Sequence, residues 1–531
     1  MKRMVKKFCV AVLLILTIFM NEYKGVVFAE GKVDTSLTPL RDAVCEKMGE
    51  DTIVGCAVTL SEISLNDIQD LVEHHFNAIT IGNELKPDAM FGYSNDKCPG
   101  TVEVEFNGET FTAPKLDYSR AEKILNIIYD WNQEHPDRFI KVRGHVLVWH
   151  SQTPEWFFHE EYDPKKDYVS KEEMSKRLEW YIKTMLEHFT GPESKYNGMF
   201  YAWDVVNEAC SDGAGYRKDN ENPGESLGKS THGSNSSWWH VYQSEEYIIE
   251  AFRYANKYAP ADVDLYYNDY NETVFSKIKS ISTLLETVKN AEGTRIDGMG
   301  LQGHYSSTEM MQDKIESAAK SYIKYVDKIM ITEWDLKAAD TYDGSDETKV
   351  EEYTKHALRY RLMYEKLMQM QSNGINVAGF TFWGTIDKYS WLQSSNNVGG
   401  ASKGGLQCPL LFDDECNAKP AYWAFVDKEH MTDMKKAAEA SKKETALEEA
   451  LKEPASEEEK SVNEPSKDES EETVNVSDNE SESEETPAAL EETSDSSWSN
   501  ALKKALPPLC MAIVIVVAFG IFKKWSSGKD N

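Results

Sequence analysis

The feature that most limits the fold of this chain is an eightfold alternation of short apolar runs with longer amphipathic stretches. Each run is short, rich in β-branched or aromatic residues and apolar on both faces, which is typical of a strand in a buried parallel sheet. Eight strand-and-helix units predict an α/β chain folded as a (β/α)8 TIM barrel. The runs span residues 53–59, 78–84, 140–150, 199–208, 264–270, 298–305, 328–335 and 377–387.

An open, doubly wound sheet is the structural alternative for a chain of alternating strands and helices. Folds of that kind usually bind their ligands through a glycine-rich phosphate turn, and we find no such turn in the sequence. The stretches between the apolar runs favour helices. In residues 171–189, for example, apolar side chains recur every three or four positions, and the pattern ends at Gly191 and Pro192. Residues 275–290 and 351–370 are also predicted to be helical.

Two predicted connections are longer than the others, and both follow strands. Residues 91–117 contain Asn107 and Gly108 between two strand-like segments, which is a strong signal for a hairpin. Residues 211–237 are rich in glycine, asparagine and serine. Because loops that follow barrel strands lie at the carboxyl-terminal face, we expect both connections to shape a binding cleft.

Polar and aromatic side chains occur where most of the predicted strands end. A single carboxylate in such a position is usually only a solvated loop residue. Seven of the eight strands end in such clusters, however, and barrel enzymes carry their active sites at this face. The pattern therefore indicates an enzyme. The clusters contain Asn83, Glu84, His145, Trp149, His150, Gln152, Asn207, Glu208, Asn268, Asp269, Tyr270, Gln302, His304, Glu333, Asp335, Trp383 and Asp387.

Glu208 and Glu333 share one setting, because each directly follows an apolar strand. Two carboxylates at one cleft can hydrolyse a glycosidic bond: one protonates the leaving oxygen and the other attacks or stabilises the anomeric carbon. Tryptophan side chains would supply flat surfaces for sugar rings, and amide and imidazole groups would bind sugar hydroxyls. For Trp203 and Trp334, packing in the core is an equally good interpretation.

Five motifs occur in this order along the chain: VRGHVLVWHSQTP (residues 142–154), WDVVNEA (203–209), GLQGH (300–304), ITE (331–333) and WGTID (383–387). Together they resemble the motifs of glycoside hydrolase family 10, whose members are mainly endo-β-1,4-xylanases. The similarity spans roughly residues 38–427. One position departs from the family pattern, because Gly82 stands where the family usually has a glutamate before Asn83, so we expect a lost sugar-hydroxyl contact.

The resemblance implies a retaining endo-β-1,4-xylanase that works by double displacement, with Glu333 as nucleophile and Glu208 as acid/base. Asn207 would bind the 2-hydroxyl of the sugar at the cleavage point, and His304 would hold the nucleophile. Retaining enzymes separate their carboxyl groups by about 5–5.5 Å, whereas roughly 9 Å indicates inversion, and we expect the shorter distance here. The remaining implied roles are catalytic support by Gln302 and Asp335, and substrate binding by Asn83, Lys86, His145, Trp149, His150, Gln152, Asn268, Tyr270, Trp383 and Trp391.

Two other functions fit parts of the same pattern. The first is another retaining barrel hydrolase, such as a β-1,4-glucanase, which an assay on xylan, cellulose and mannan would distinguish. The second is a non-catalytic polysaccharide receptor at the cell surface. A receptor is expected to have lost a catalytic glutamate, yet Glu208 and Glu333 are both present, so this function ranks lowest.

The formal net charge of −32 argues against a nucleic-acid partner, because a phosphate backbone selects a basic surface. Glycoside hydrolysis needs no cofactor, and no cysteine or histidine spacing in the sequence indicates a metal site. The expected partners of this enzyme, which we predict to be monomeric, are xylan and xylo-oligosaccharides. Six cysteines of an exported chain permit disulfides, and the last two are close enough in sequence to staple one loop. They are Cys45, Cys56, Cys98, Cys210, Cys408 and Cys416.

Both ends of the chain have the composition of targeting segments. Residues 1–29 contain the basic, apolar and small-residue regions of a signal peptide, and residues 30–430 would form the catalytic domain. Residues 431–503 are dominated by Glu, Ser, Lys and Ala, which predicts a disordered acidic linker. Residues 504–524 predict a transmembrane anchor, followed by a short cytoplasmic tail at 525–531. We therefore expect an exported enzyme that is anchored at the cell surface with its catalytic domain outside.

Overall fold

A computed structural model of the protein describes residues 33–227, 233–394 and 406–431. The predicted signal peptide, membrane anchor and cytoplasmic tail lie outside the described residues, as does the acidic linker apart from Met431. Within the three described ranges, no helix is both long and apolar enough to cross a membrane.

The strands of the described ranges form one closed parallel barrel and one separate hairpin. They are β1 (Ile53–Val58), β2 (Ala78–Ile81), β3 (Thr101–Phe106), β4 (Glu109–Pro114), β5 (Lys141–Gly144), β6 (Val148–Trp149), β7 (Phe200–Asn207), β8 (Asp264–Asp269), β9 (Gly298–Leu301), β10 (His304–Ser306), β11 (Lys328–Lys337) and β12 (Val377–Phe382). The barrel follows the order β1, β2, β5, β7, β8, β9, β11 and β12, and β12 pairs with β1. This ring of eight parallel strands confirms the predicted (β/α)8 barrel.

Two of the predicted apolar runs form two short strands each. The run at 298–305 divides into β9 and β10 because the chain turns at Gly303, which has a φ of +78°. A Cβ atom at Gly303 would lie only 2.5 Å from Cγ2 of Ile331, so glycine is required there. The run at 140–150 divides in the same way into β5 and β6. The second strand of each pair carries a predicted site residue, Trp149 in β6 and His304 in β10.

Helices connect the barrel strands. Their bounds in the described ranges are α1 (Leu40–Met48), α2 (Leu60–Ile63), α3 (Asn66–His75), α4 (Pro87–Met90), α5 (Ser119–Glu134), α6 (Lys171–Thr190), α7 (Ser237–Tyr242), α8 (Glu246–Tyr258), α9 (Phe275–Asn290), α10 (Gln312–Tyr322), α11 (Asp346–Ser372) and α12 (Pro420–Val426). The three predicted helices are confirmed as α6, α9 and most of α11. Helix α6 begins after Ser170, whose hydroxyl accepts the backbone N–H of Glu173, and Gly191 follows its last residue.

The predicted Asn-Gly hairpin is confirmed by the antiparallel pair of β3 and β4. Asn107 and Gly108 form its turn with φ values of +52° and +83°. Two consecutive positive φ values are the backbone conformation that a tight two-residue hairpin needs, and Asn-Gly adopts it at low cost. Strand β4 continues to Pro114, three residues beyond the strand-like segment 109–111 that the sequence predicts.

The inside of the barrel holds a buried ion pair as well as apolar side chains. Arg143 donates from Nη2 to Asp204 at 2.5 Å and from Nε at 3.1 Å, and both side chains are almost fully buried. His145 contacts the same carboxylate at 3.0 Å. Trp203 is fully buried beside Gly144, where a Cβ atom would lie 2.1 Å from the indole. Trp203 and Trp334 are both core residues, so neither can offer its ring to a sugar.

The structure does not support the disulfides that the even number of cysteines permits, because all six cysteines in the described residues are free thiols. Cys408 is buried, and its Sγ lies 4.0 Å from Nδ1 of His356 rather than against Cys416. Burial raises the pKa of the Cys408 thiol to about 12. Cys408 is therefore a packed, unreactive side chain.

Candidate active site

A cleft of about 680 Å³ lies at the carboxyl ends of the barrel strands. Its walls contain fourteen of the sixteen residues that the sequence predicted for the site, although these come from seven strand ends that are far apart in sequence. The other two, Asn268 and Asp335, do not line the cleft. The fourteen are Asn83, Lys86, His145, Trp149, His150, Gln152, Asn207, Glu208, Tyr270, Gln302, His304, Glu333, Trp383 and Trp391.

Glu208 lies directly after β7 in a left-handed backbone conformation, with a φ of +56°. Its carboxylate accepts hydrogen bonds from the indole N–H of Trp149 at 2.9 Å and from the amide of Gln302 at 2.9 Å. The amide of Asn207 donates a third bond at 3.1 Å. A positive φ in a residue other than glycine costs about 1–3 kcal/mol and persists only where the surroundings impose it.

Glu333 lies within β11 and is held by an amide and an imidazole. Asn268 Nδ2 donates to one carboxylate oxygen at 2.7 Å, and His304 Nε2 contacts the other at 3.2 Å. The second ring nitrogen of His304 contacts Asp335 at 3.0 Å, and the indole of Trp391 donates to Asp335 at 2.6 Å. Each member of this chain is therefore oriented by the next.

His304 is a cation in this arrangement. Burial by itself would lower its pKa, but the charges of Asp335 and Glu333 and their hydrogen bonds outweigh burial and raise the pKa well above the ordinary value. A protonated imidazole can donate to both carboxylates at once. Glu333 consequently faces a fixed positive charge.

A continuous chain of amide hydrogen bonds connects the two glutamates. Gln302 Nε2 donates to Glu208 at 2.9 Å and approaches Oδ1 of Asn207 at 3.3 Å. Asn268 Nδ2 donates to that same Asn207 oxygen at 3.0 Å and to Glu333 at 2.7 Å. Both carboxylates thus belong to one network at one cleft, as the sequence predicted. The separation of about 5–5.5 Å expected for retention stays a prediction.

Asn268 lies behind the cleft wall, where it contacts Glu333 instead of lining the space for substrate. Its side chain is fully buried, and its side-chain oxygen Oδ1 accepts a hydrogen bond from the hydroxyl of Thr332 at 2.6 Å. Gly300 makes room for it, because a Cβ atom at Gly300 would lie 2.3 Å from the Asn268 oxygen. These contacts fix which end of the Asn268 amide faces Glu333.

The residues near β2 and β6 form one wall of the cleft. Lys86 donates to Asn83 at 3.2 Å, and its ammonium lies 5.1 Å from the ring centre of Trp149. Burial lowers the pKa of Lys86, while the surrounding carboxylates, Glu333 first among them, act in the opposite direction. His150 is neutral, because burial above all lowers its pKa well below the ordinary value.

The cleft also contains residues that sequence reasoning missed. Arg217 is the most prominent, because it is 4% exposed and makes three side-chain hydrogen bonds at the site. It lies in the long connection after β7 rather than at a strand end, so the strand-end pattern could not identify it. The predicted role of residues 211–237 in shaping the cleft was the only signal. The other missed residues include Thr59, Glu62, Ser151, Ser234, Asn271 and Tyr389.

Comparison with known sequences gives matches over the barrel. The sequence model described as Glycosyl hydrolase family 10 matches residues 41–428. Endo-1,4-beta-xylanase Y of Acetivibrio thermocellus is 33% identical over 378 residues, which are 70% of this chain and 30% of that protein. A putative endo-1,4-beta-xylanase of Caldicellulosiruptor saccharolyticus is 37% identical over 295 residues, which are 54% of this chain and 84% of that protein. The chain thus spans about a third of the length of the first relative.

Two solved structures have a similar fold. A family 10 glycoside hydrolase from Paenibacillus barcinonensis matches with a TM-score of 0.57 and 30% identity, over 73% of this chain and 98% of that one. The N-terminal endo-1,4-beta-D-xylanase 10B of Clostridium thermocellum, solved with xylohexaose, matches with a TM-score of 0.57 and 30% identity. That match covers 74% of this chain and 68% of the other.

Proposed function

Because this chain belongs to glycosyl hydrolase family 10, we propose that it is a retaining endo-β-1,4-xylanase that cleaves internal linkages of xylan. The observation that carries the proposal is the pair of carboxylates, Glu208 and Glu333, joined by amide hydrogen bonds at one cleft. The names of the similar xylanases, and the xylohexaose bound to one of them, support xylan as the substrate.

The proposed reaction has two steps. In the first, an oxygen of Glu333 attacks the anomeric carbon, the bond from that carbon to the leaving oxygen breaks, and Glu208 protonates this oxygen. The products are a sugar bonded covalently to Glu333 and a free hydroxyl on the departing chain. In the second step, water attacks the same carbon, ionised Glu208 takes a proton from it, and Glu333 leaves as a carboxylate. Two inversions retain the configuration.

The surroundings of the two carboxylates support this division of roles. His304 contacts one oxygen of Glu333 at 3.2 Å and Asn268 donates to the other at 2.7 Å, so the carboxylate that serves as nucleophile is held at both oxygens. The side-chain partners of Glu208 are neutral donors, the indole of Trp149 and two amides. Glu208 can therefore take up and release a proton without breaking an ion pair.

The resemblance to the family implies the sugar contacts that we propose, and the positions of these residues at the cleft support them. Asn207, which lies between the two carboxylates in the hydrogen-bond network, would bind the 2-hydroxyl of the sugar at the cleavage point. Asn83 and Lys86 would bind the next sugar on the non-reducing side. Trp149 and Trp383, both on the cleft wall, would cover the apolar faces of the sugar rings. His145, His150, Gln152, Tyr270 and Trp391 would complete these contacts.

The direct test compares xylan, cellulose and mannan as substrates of the purified protein. We expect rapid loss of xylan viscosity relative to the release of reducing ends, because internal cleavage shortens chains faster than it trims them. Nuclear magnetic resonance should show the β-anomer as the first product of a retaining enzyme. Faster cleavage of cellulose would instead indicate a β-1,4-glucanase, and binding without cleavage of any of the three would indicate a receptor.

Gly82 gives a second prediction, about sugar binding beside Asn83. Its backbone does not need glycine, because a Cβ atom there would meet only the Val58 carbonyl at 3.5 Å and Thr59 Cγ2 at 4.0 Å. Gly82→Glu should add one hydrogen bond to the sugar held by Asn83. A hydrogen bond to a charged group contributes about 1.5 kcal/mol or more, so kcat/KM on linear xylotetraose should rise about tenfold.

The control for that prediction is Gly82→Ala, which adds a side chain without an acceptor and should change kcat/KM little. A substrate with only one sugar on the non-reducing side should not respond to Gly82→Glu. If Gly82→Glu and Gly82→Ala have equal effects on xylotetraose, glycine at this position does not mark a missing contact.

We also propose that the enzyme is exported and anchored at the cell surface, on the sequence pattern of residues 1–29 and 504–524. A chain that ends at Asn500 should then appear in the culture medium, whereas the full chain should stay with the membrane fraction. Fractionation and immunoblotting of the two chains measure this. Retention of the shortened chain by the cells would contradict the anchor.

A further inference from the structure

The backbone of Glu208 is held in its left-handed conformation from both sides. On one side, the N–H of Glu208 donates to the carbonyl of Asn268 at 2.9 Å. On the other side, the carbonyl of Glu208 accepts Nε of Arg217 at 2.9 Å. Since a positive φ persists only where neighbouring groups impose it, the direction of the Glu208 side chain depends on these two hydrogen bonds.

Arg217 is itself fixed by contacts at every side of its guanidinium. Nη1 donates to the carbonyl of Ser234 at 3.1 Å, and Nη2 donates to the hydroxyl of Tyr270 at 3.0 Å. Tyr270 in turn donates to Asp212 at 2.7 Å. The backbone N–H of Arg217 also bonds the carbonyl of Ala209, at 2.8 Å. The guanidinium therefore connects Glu208 at the end of β7 with Ser234 in the connection that follows β7 and with Tyr270 after β8.

The place of Arg217 in the cleft indicates the part of the substrate that it faces. Arg217, Tyr270 and Asn271 line the wall beyond β7 and β8. Asn83 and Lys86 follow β2, two strands before β7 in the barrel order. If Asn83 and Lys86 bind the non-reducing side, as in the proposed function, Arg217 lies on the side of the leaving group. The proton that Glu208 donates must travel in that direction.

We propose that Arg217 is a positioning residue for proton transfer by Glu208. Its guanidinium fixes the peptide after Glu208, and this directs the carboxyl group towards the leaving oxygen. The inference rests on the proposed function, because it gives Glu208 the role of acid. Lysine cannot replace Arg217, since one ammonium cannot reach three acceptors that lie around a planar fork.

The test uses aryl β-xylobiosides whose leaving phenols range from dinitrophenol to phenol, with Arg217→Lys and Arg217→Met. A strongly acidic phenol departs without help, whereas phenol needs a proton. A well-placed general acid accelerates a reaction roughly 10²- to 10⁴-fold. A misoriented Glu208 carboxyl group should therefore lower kcat/KM on the phenyl substrate about 10- to 100-fold. The dinitrophenyl substrate should change less than about threefold. The dependence of kcat/KM on the acidity of the leaving phenol thus measures the contribution of the general acid.

Arg295→Met is the matched control. Arg295 also donates to a backbone carbonyl, that of Val263 at 3.1 Å, and to Asp297 at 2.6 Å, but these residues precede β8 and β9 at the other end of the barrel. Arg295→Met should therefore leave activity on the aryl substrates unchanged or lower it by the same factor on all of them. Thermal melting curves of all three variants give the folded fraction for correction.

An unchanged dependence of kcat/KM on the leaving group in both Arg217 variants would overturn the proposal, whether every substrate loses activity by the same factor or none does. Full activity of Arg217→Lys on the phenyl substrate would refute the requirement for a planar fork. Failure of the proposed function is distinguishable, because the unaltered enzyme would then cleave none of the xylobiosides.

Discussion

Replacing Glu333 with alanine is expected to lower kcat on xylan by roughly 10⁴- to 10⁶-fold, the range seen when an enzyme loses its nucleophile or the base that activates it. Without the carboxylate, no covalent sugar intermediate can form, and water must attack directly in a site built for another nucleophile. KM or Kd for xylo-oligosaccharides should change little, because Glu333 is 5% exposed and its described bonds go to Asn268 and His304.

Azide identifies the missing group in the Glu333→Ala enzyme. The small anion should enter the space left by the carboxylate and attack the anomeric carbon, while Glu208 protonates the leaving oxygen. The product is a glycosyl azide of inverted configuration, which nuclear magnetic resonance distinguishes from the retained one. Glu286→Ala, a change at an exposed position of α9, should leave kcat unaltered. Full activity of Glu333→Ala would remove Glu333 from the role of nucleophile.

Replacing Glu208 with alanine should separate the two steps of the reaction. On xylan, whose leaving group is a sugar hydroxyl, loss of the general acid should lower kcat/KM by roughly 10²- to 10⁴-fold. On a dinitrophenyl xylobioside the first step needs no proton and should remain fast. The second step lacks its base, so the covalent sugar on Glu333 should accumulate and KM should fall together with kcat.

Rapid mixing and mass spectrometry measure these effects. A burst of dinitrophenol close to one equivalent per enzyme, together with a protein carrying one xylobiosyl group, is the expected result. Azide should now give a product of retained configuration, because it attacks the covalent intermediate. If Glu208→Ala gave the inverted glycosyl azide and Glu333→Ala the retained one, Glu208 would be the nucleophile and Glu333 the acid/base. An equal loss on xylan and on the dinitrophenyl substrate would remove Glu208 from the role of acid.

The interpretation of both experiments depends on the contacts of the two carboxylates. In Glu333→Ala, His304 should keep its contact with Asp335 but lose its second carboxylate partner. Glu208→Ala leaves the indole of Trp149 without its acceptor, whereas the amide of Gln302 keeps Oδ1 of Asn207. Neither change opens a large apolar cavity, so we expect folded proteins whose losses are chemical. Circular dichroism and melting curves check this.

The barrel and most of the residues that line its cleft follow from the sequence because the signals for them are local. An apolar run such as residues 199–208 predicts a buried strand from its own composition. Once eight such strands are accepted as parallel, barrel geometry requires that their carboxyl ends meet. Glu208 and Glu333 can therefore be assigned to one site although they are distant in sequence, and the structure places both at the same cleft.

The arrangement around those carboxylates was decided only by the tertiary structure. Asn268 lies behind the wall because the hydroxyl of Thr332 and the space above Gly300 hold it there, and both residues come from other strands. Arg217 reaches Glu208 from an irregular connection, where no periodic pattern predicts which side chain turns inwards. Cys408 likewise lies beside His356 of α11, a contact between distant elements that the number and spacing of cysteines do not reveal.

One physical cause separates what the sequence predicts from what only the tertiary structure decides. Strand and helix formation depends on the spacing of apolar side chains within about twenty residues, so it can be recognised from the chain itself. Several hydrogen bonds in the site join residues far apart in the sequence: Asn268 and Glu333 are 65 positions apart, and Gln302 and Glu208 are 94 apart. Side chains of that separation meet at distances that only the packed barrel determines, and these contacts decide how each carboxylate is held.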